Sequence, residues 1–288
     1  MKKVAALYTC HNRKEKTLNS IRSLREAYTF SNKIDSLDVY LTDDGSTDGT
    51  SEAIKIFFPD VIIIKGSGNL FWTEGMRSSW KEALKKEYDA FLLLNDDVEL
   101  YKNMFDELLE GHQYCIDTFG KSGIYLGATE DKTSNKLTYS GSIITNKFLY
   151  KRKRLAPNGQ YQRCHLGNAN IMLVPSSIVE HIGILSTGYS HGMADYDYTL
   201  TANSNGIPVL IAKNFCGHCV NDHKDHYEGF INKSFEERKK VINSPTGLAL
   251  NSYKIYMRKF FPYRYPFVTF FGWFKLYFPK TYISLFKK

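Results

Sequence analysis

The feature that most constrains this chain is an alternation in its first hundred residues, in which short apolar runs end in polar clusters and helical spacing follows. Val4-Ala5-Ala6-Leu7-Tyr8-Thr9 is too short and too uniformly apolar for a surface helix and is read as a buried strand. Leu18, Ile21 and Leu24 follow at helical spacing. Leu37 to Leu41, Val61 to Ile64 and Ala90 to Leu94 are three further strands, and Ser51 to Phe58 and Trp72 to Glu87 are the helices between them. Strands alternating with helices predict βαβ units and a parallel sheet. Ligands of such sheets bind at the carboxyl ends of the strands. Three polar clusters fall on that edge: Thr9 to Arg13, Asp43 to Asp48, and Asn95-Asp96-Asp97. The second half is less regular. Strands are expected at Ile124 to Ala128, Ile143-Ile144 and Asn170 to Val174, with helices through Ile178 to Ile182 and Tyr198 to Ser204.

Each cluster has a plain reading beside a chemical one. Carboxylates at the end of a buried strand cost desolvation unless something neutralises them. For Asn95-Asp96-Asp97 that something is a divalent cation, Mg²⁺ or Mn²⁺, or the cluster simply caps the next helix. Asp43 to Thr50 is rich in turn and cap residues and, alone, reads as a turn. Lys151-Arg152-Lys153-Arg154 reads as a solvated loop. Cys216-Gly217-His218-Cys219 spells a redox motif, but it ends a late strand where that motif should open a helix. A structural zinc shared with His223 and His226 would need an unusually close second pair. Buried structural cysteines are preferred.

Composition separates body from tail. With 43% apolar and 24% charged residues over 288 positions, overall disorder is excluded. The net charge of +8 lies in residues 251–288, which hold eight cations, fifteen aromatics and no carboxylate. This mixture suits an anionic lipid surface better than nucleic acid, which is not expected as a partner. Pro262, Pro266 and Pro279 divide the segment into short helices expected to lie flat. The alternatives are packing on the rest of the chain or a homodimer contact. The longest uncharged run there, Tyr265 to Phe274, is half of what a spanning helix needs, so a peripheral protein is expected. Five scattered cysteines and an N-terminus without a signal-peptide core point to the cytoplasm and the inner face of the plasma membrane.

Taken together the motifs resemble the family 2 glycosyltransferases, which have the GT-A fold, a Rossmann-like mixed α/β sheet flanked by helices. The resemblance rests on Thr9-Cys10-His11-Asn12-Arg13, on Asp43 to Thr50 as D-D-G-S-x-D-G-T, and on Gly68 to Met76 as G-N-L-x-W-x-x-G-M. It extends through Asn95-Asp96-Asp97 as a D-x-D with Asn first, Gly167 to Asn170, His191 to Tyr198, and Ala212 to His218. It implies inverting transfer of a sugar from a nucleotide diphosphate to a hydroxyl of a glycan or lipid-linked acceptor in bacterial cell-surface polysaccharide synthesis. By resemblance Asp195 is the general base, and an N-cap is its plain alternative. Thr9, Asn12, Arg13, Asp43, Asp44, Ser46, Asn69, Arg77, Asn95 and Asp96 are expected at the nucleotide sugar, with Asp43 on the base and the two arginines on the diphosphate. Asp97 and His218 are expected on the metal, and Asn170, Trp72 and Asp197 on the acceptor side. Residues 1–222 form the expected catalytic domain, with a nucleotide half over 1–100 and an acceptor half over 101–222, and 223–288 a helical extension. Asn95 and Ala194 depart from the pattern and leave a non-catalytic sugar-nucleotide or glycan-binding module as the alternative.

Overall fold

The computed structural model of the chain describes residues 1–220 and 227–286, so His223 and His226 lie outside the described residues. Strands β1 (Lys3–Cys10), β2 (Ser36–Asp43), β3 (Ile62–Lys65) and β4 (Ala90–Leu94) form where the apolar runs predict them. Helices α1 (Lys14–Phe30), α2 (Thr50–Phe57) and α3 (Phe71–Ala83) connect them. β1 pairs in parallel with β2 on one side and β4 on the other, and β3 extends the sheet beyond β2. Val4 to Cys10 are all buried, because helices cover both faces of a parallel strand. α1 presents Leu18, Ile21 and Leu24 to one face of the sheet and α3 presents Met76 and Trp80 to the other.

After β4 the chain runs through β5 (Glu99–Leu100), α4 (Met104–Phe119), β6 (Ile124–Glu130) and β7 (Leu137–Tyr139). Next come β8 (Gly141–Asn146), β9 (Lys151–Arg154), β10 (Gln162–Arg163) and β11 (Leu166–Gly167). β12 (Ile171–Pro175), α5 (Ser176–Ile182), α6 (Ala194–Ser204) and β13 (Val209–His218) follow. The main sheet has the order β10-β13-β6-β12-β4-β1-β2-β3. β12 lies antiparallel between β4 and β6. The sheet is therefore mixed, as the resemblance implies: β4-β1-β2-β3 run parallel on one side of β12, and β6 and β13 pair in parallel on the other. It also runs unbroken across residue 100, since β12 hydrogen-bonds to β4 directly. The Lys151 to Arg154 run is not a loop. It forms β9, paired with β8 in a small sheet of order β11-β8-β9, and all four side chains are exposed.

The C-terminal segment folds as α7 (Phe235–Asn243), α8 (Leu250–Phe260), α9 (Tyr265–Tyr277) and α10 (Pro279–Phe286). Ser234 and Glu237 form a reciprocal capping box on α7. Pro266 and Pro279 sit in the first turns of α9 and α10, where a missing N–H costs nothing. α8 packs into the main core: its Tyr256 and Met257, and Phe261 just past its end, are buried in the cluster that holds Trp80 and Tyr198. α9 and α10 instead leave Phe267, Phe270, Trp273, Tyr277, Phe278 and Phe286 exposed. Among the described residues no helix is long and apolar enough to cross a membrane.

Candidate active site

The three polar clusters meet at the carboxyl ends of β1, β2 and β4, and their own hydrogen bonds preform the turns. Asn12, at a left-handed φ of 52°, donates its N–H to Ser46 Oγ, and its Oδ1 accepts from Thr47 N at 2.7 Å. The turn after β1 is thereby tied to the turn after β2. Asp43 accepts from Ser46 N at 2.8 Å and from the Ser51 hydroxyl. Asp44 accepts from the N–H groups of Gly68, Leu70 and Phe71 at 2.7–2.9 Å. Its charge thus sits at the positive end of α3. Both carboxylates are buried, Asp43 engaged with its own turn and Asp44 with the loop that leads into α3. Gly75 is required beside them, since a Cβ there would stand 2.1 Å from Thr9 Oγ1.

Arg13 bridges the acidic pair: Nη1 donates to Asp96 Oδ1 at 3.0 Å and Nη2 to Asp97 Oδ2 at 2.7 Å. Asp96 is buried, and its second oxygen has no partner. Burial pushes its carboxyl up to about 7, against the pull of Arg13. Asn95, the first residue of the cluster, accepts the indole N–H of Trp72 at 2.8 Å through Oδ1. An amide serves that donor without adding a third negative charge. A cavity of about 270 Å³ opens here, lined by Thr9, Arg13, Asp44, Trp72, Asp96 and, from later in the chain, His191 and Thr246. A larger one, about 830 Å³, lies at the opposite end of the strands near Lys2 and Ser176. It holds none of these groups.

The orphaned oxygen of Asp96 beside Asp97 is the kind of donor a divalent cation takes. Among the described residues no group of three His, Cys, Asp or Glu side chains could hold a metal by itself. Such an ion would therefore draw its other ligands from phosphate oxygens and water, as Mg²⁺ and Mn²⁺ commonly do. His218 does not join Asp97. Its ring packs edge-on against Tyr101, whose hydroxyl is 3.1 Å away and donates to Glu130. The next residue along the extended chain points the other way, and it is Cys219 whose Sγ lies 3.6 Å from Asp97 Oδ1.

Asp195 lies in the first turn of α6, after Met193 at a left-handed φ of 75°. Its carboxylate accepts from Tyr196 N at 2.8 Å and from Asn168 Nδ2 at 3.4 Å. Burial raises it to about 6. The turn Asn168-Ala169-Asn170 joins this group to the acidic pair. Asn168 touches Asp195, the Asn170 carbonyl accepts from Asn95 N, and Asn170 Nδ2 reaches Cys219 Sγ at 3.6 Å. Three residues span at most about 11 Å.

Two expected site residues have their partners away from the cavity. Arg77 is buried and donates to the Leu185 carbonyl and to Glu74, away from the cavity. A guanidinium on α3 is a full turn past the strand ends. Asp197, fully buried, accepts from Ser186, Tyr189 and Lys259 Nζ, the last at 2.7 Å. Its position two residues after Asp195 turns it toward α8. Asn69 is exposed on the rim of the loop that Asp44 holds. No motif in the sequence marks Thr246 or Lys259, His191 enters only as the start of a matched segment, and Cys219 only as a buried flank of His218. Only Cys219 had a signal, the alternation beyond His218.

A structural comparison places the chain beside a mannosyltransferase from Pyrobaculum calidifontis, PcManGT, solved with GDP-Man and Mn²⁺. The TM-score is 0.58 at 11% identity, over 96% of this chain and 70% of that one. Residues 1–349 of S. aureus TarS align with a TM-score of 0.51 at 12% identity, over 84% of this chain and 66% of that one. At these identities the likeness is one of fold. No curated protein sequence matches the chain significantly. The profile described as "Glycosyl transferase family 2" matches residues 7–168, more than half of the sequence. With the mixed sheet, the carboxylates at its strand ends and this match in hand, the chain belongs to glycosyl transferase family 2 and has the GT-A fold.

Proposed function

We propose that the protein is an inverting glycosyltransferase that moves a sugar from a nucleotide diphosphate to a hydroxyl of a glycan or lipid-linked acceptor. The observation that carries this reading is the Asn168-Ala169-Asn170 turn, which joins a raised carboxyl to an acidic pair bridged by arginine. In this reading the cavity above β1 and β2 takes the nucleotide, and Arg13 leaves Asp96 and Asp97 to meet the diphosphate. Asp97 and Asp96 would hold a divalent cation, which when bound would take up charge on the departing diphosphate. Asp195 takes the proton of the acceptor hydroxyl at its carboxylate, and Asn168 keeps that carboxylate in place. Trp72, fixed by Asn95, offers a ring to the sugar. The exposed aromatics of α9 and α10 support peripheral binding to the inner face of the membrane, in the synthesis of a bacterial cell-surface polysaccharide.

The test is release of nucleotide diphosphate from UDP-, GDP- and dTDP-sugars with and without Mn²⁺ or Mg²⁺, after thermal-shift screening of the nucleotides. Metal-dependent release from one class is expected. Nucleotide binding with no turnover on any acceptor tried would favour the binding-module alternative, although the Trp72–Asn95 bond accounts for Asn95 without loss of function.

A further inference from the structure

We infer that the tip of the β8–β9 hairpin and helices α9–α10 form one platform that docks on an anionic phospholipid bilayer. This deepens the membrane part of the reading above and rests on it for its meaning in acceptor delivery. The charge of the chain is more divided than its total suggests. Residues 132–179 contain eight Lys and Arg and no Asp or Glu, and residues 251–288 contain the same. With the whole chain at +8, everything outside these two segments sums to −8.

Folding brings the two cationic segments together at their aromatic ends. The Phe148 ring, at the hairpin tip, stacks on Tyr263 with centroids 5.6 Å apart and planes 6° from parallel. The Tyr263 hydroxyl donates to the Lys147 carbonyl, and Arg264 Nη1 donates to the Phe148 carbonyl at 2.7 Å. Tyr150 donates to Tyr256 on α8 at 3.0 Å. The hairpin is therefore fixed to the tail on both sides of its tip.

What this joined surface shows to solvent is apolar. Phe148 is 70% exposed, Phe267 61%, Phe270 59% and Trp273 54%. At 3.6 residues per turn, Phe267, Phe270, Trp273 and Tyr277 share an arc of about 120° on α9, and Phe278 is exposed just past its end. Gly272 and Leu276 face inward. Lys147, Lys151 and Lys153 are exposed on the hairpin, and Lys280 is exposed in the first turn of α10. A second copy of the chain would set cations against cations, and nucleic acid would leave large rings unused. A bilayer interface uses both, with rings at the headgroup level and ammonium groups on lipid phosphate. The hairpin also leads into the site. β8 pairs with β11, Asn168 follows β11 directly, and Arg152 of β9 lies over the Tyr196 ring. A bilayer-borne hydroxyl would thus arrive on the side where Asp195 waits.

The experiment is co-sedimentation of the full chain with phosphatidylcholine vesicles, with and without phosphatidylglycerol. Binding that needs phosphatidylglycerol and weakens with salt is expected. Lys147, Lys151 and Lys153 changed together to Gln should lower partitioning about 100-fold, at about fivefold per cation. Phe148→Ser with Leu149→Ser should lower it at least tenfold, with the melting temperature and nucleotide-sugar hydrolysis kept. Lys65→Gln, on the far edge strand, should change nothing. Hairpin variants that sediment like wild type, while Phe267→Ser with Phe270→Ser does not, would overturn the hairpin's part. A wild-type protein that ignores every vesicle, or a dimer lost in the Phe148 variant, would overturn the docking. Vesicle binding without any sugar-nucleotide turnover would instead remove the glycosyl-transfer reading and leave the platform standing.

Discussion

Replacing Asp195 by Asn should make the protein more stable and nearly inactive at once. Burial raises this carboxyl from an ordinary 3.8 to about 6. Above pH 6 the group is ionised in both the folded and unfolded states, and the folded state bears the full cost of the buried charge. Two pH units correspond to about 3 kcal/mol. Partial solvent contact and the Asn168 amide bring the expected gain to about 1–3 kcal/mol, or roughly 3–10 °C in melting temperature. The sign follows from linkage. The wild type loses stability as pH climbs from about 4 to 6, and the Asn variant does not. The gap between them should therefore open over that range and stay flat above it. Activity should run the other way. Wild-type kcat/KM should rise through pH 6 and level off, and Asp195→Asn should lower turnover 100-fold or more with donor affinity kept. Thermal melts from pH 4.5 to 8, beside nucleotide release on the same samples, measure both. A variant that melts lower at pH 8, a gap independent of pH, or retained turnover would each refute the reasoning.

Three further outcomes are expected. Asp97→Ala should abolish the Mn²⁺ dependence of nucleotide binding in calorimetric titration while leaving the far-ultraviolet spectrum unchanged. Arg77→Met should orphan the Leu185 carbonyl and cost about 1–3 kcal/mol in denaturant melts, with the donor KM within about twofold. Lys259→Met leaves Asp197 buried beside two hydroxyls. Because Lys259 is itself partly exposed, the loss should be about 2 kcal/mol, between the ranges for surface and buried pairs, and a second change, Asp197→Asn, should recover most of it.

The sheet edge was legible because local chemistry determines it. Apolar runs such as Ala90 to Leu94 can only be buried strands, and the turns that follow them carry their own hydrogen-bonding residues. Asp195 was legible only through the family resemblance, since an acidic residue in the first turn of a helix has an ordinary capping use. The fates of Arg77, Asp197 and His218 were not legible. Each depends on a partner far away in sequence: Leu185, Lys259 and Tyr101. A one-residue difference in strand phase decides between His218 and Cys219. α4 was missed although Phe105, Leu108 and Leu109 share a buried face, because its interior is rich in polar residues. The tail looked uniform in composition, yet α8 belongs to the core and α9 does not. A truncation at Asn251 would therefore remove core residues together with the aromatic surface.

The antiparallel strand β12 has a consequence for synthesis. Ala90 to Leu94 is wholly buried in the finished sheet, but one of its two edges pairs with Ile171–Pro175. A ribosome adding about 5–20 residues per second needs roughly 4–16 s to make the intervening stretch. For that time the nascent chain carries an apolar strand with one open edge, the template on which chains pair with one another. Slowing elongation between residues 95 and 175 should lower soluble yield, and no fragment ending near residue 100 should remain monomeric.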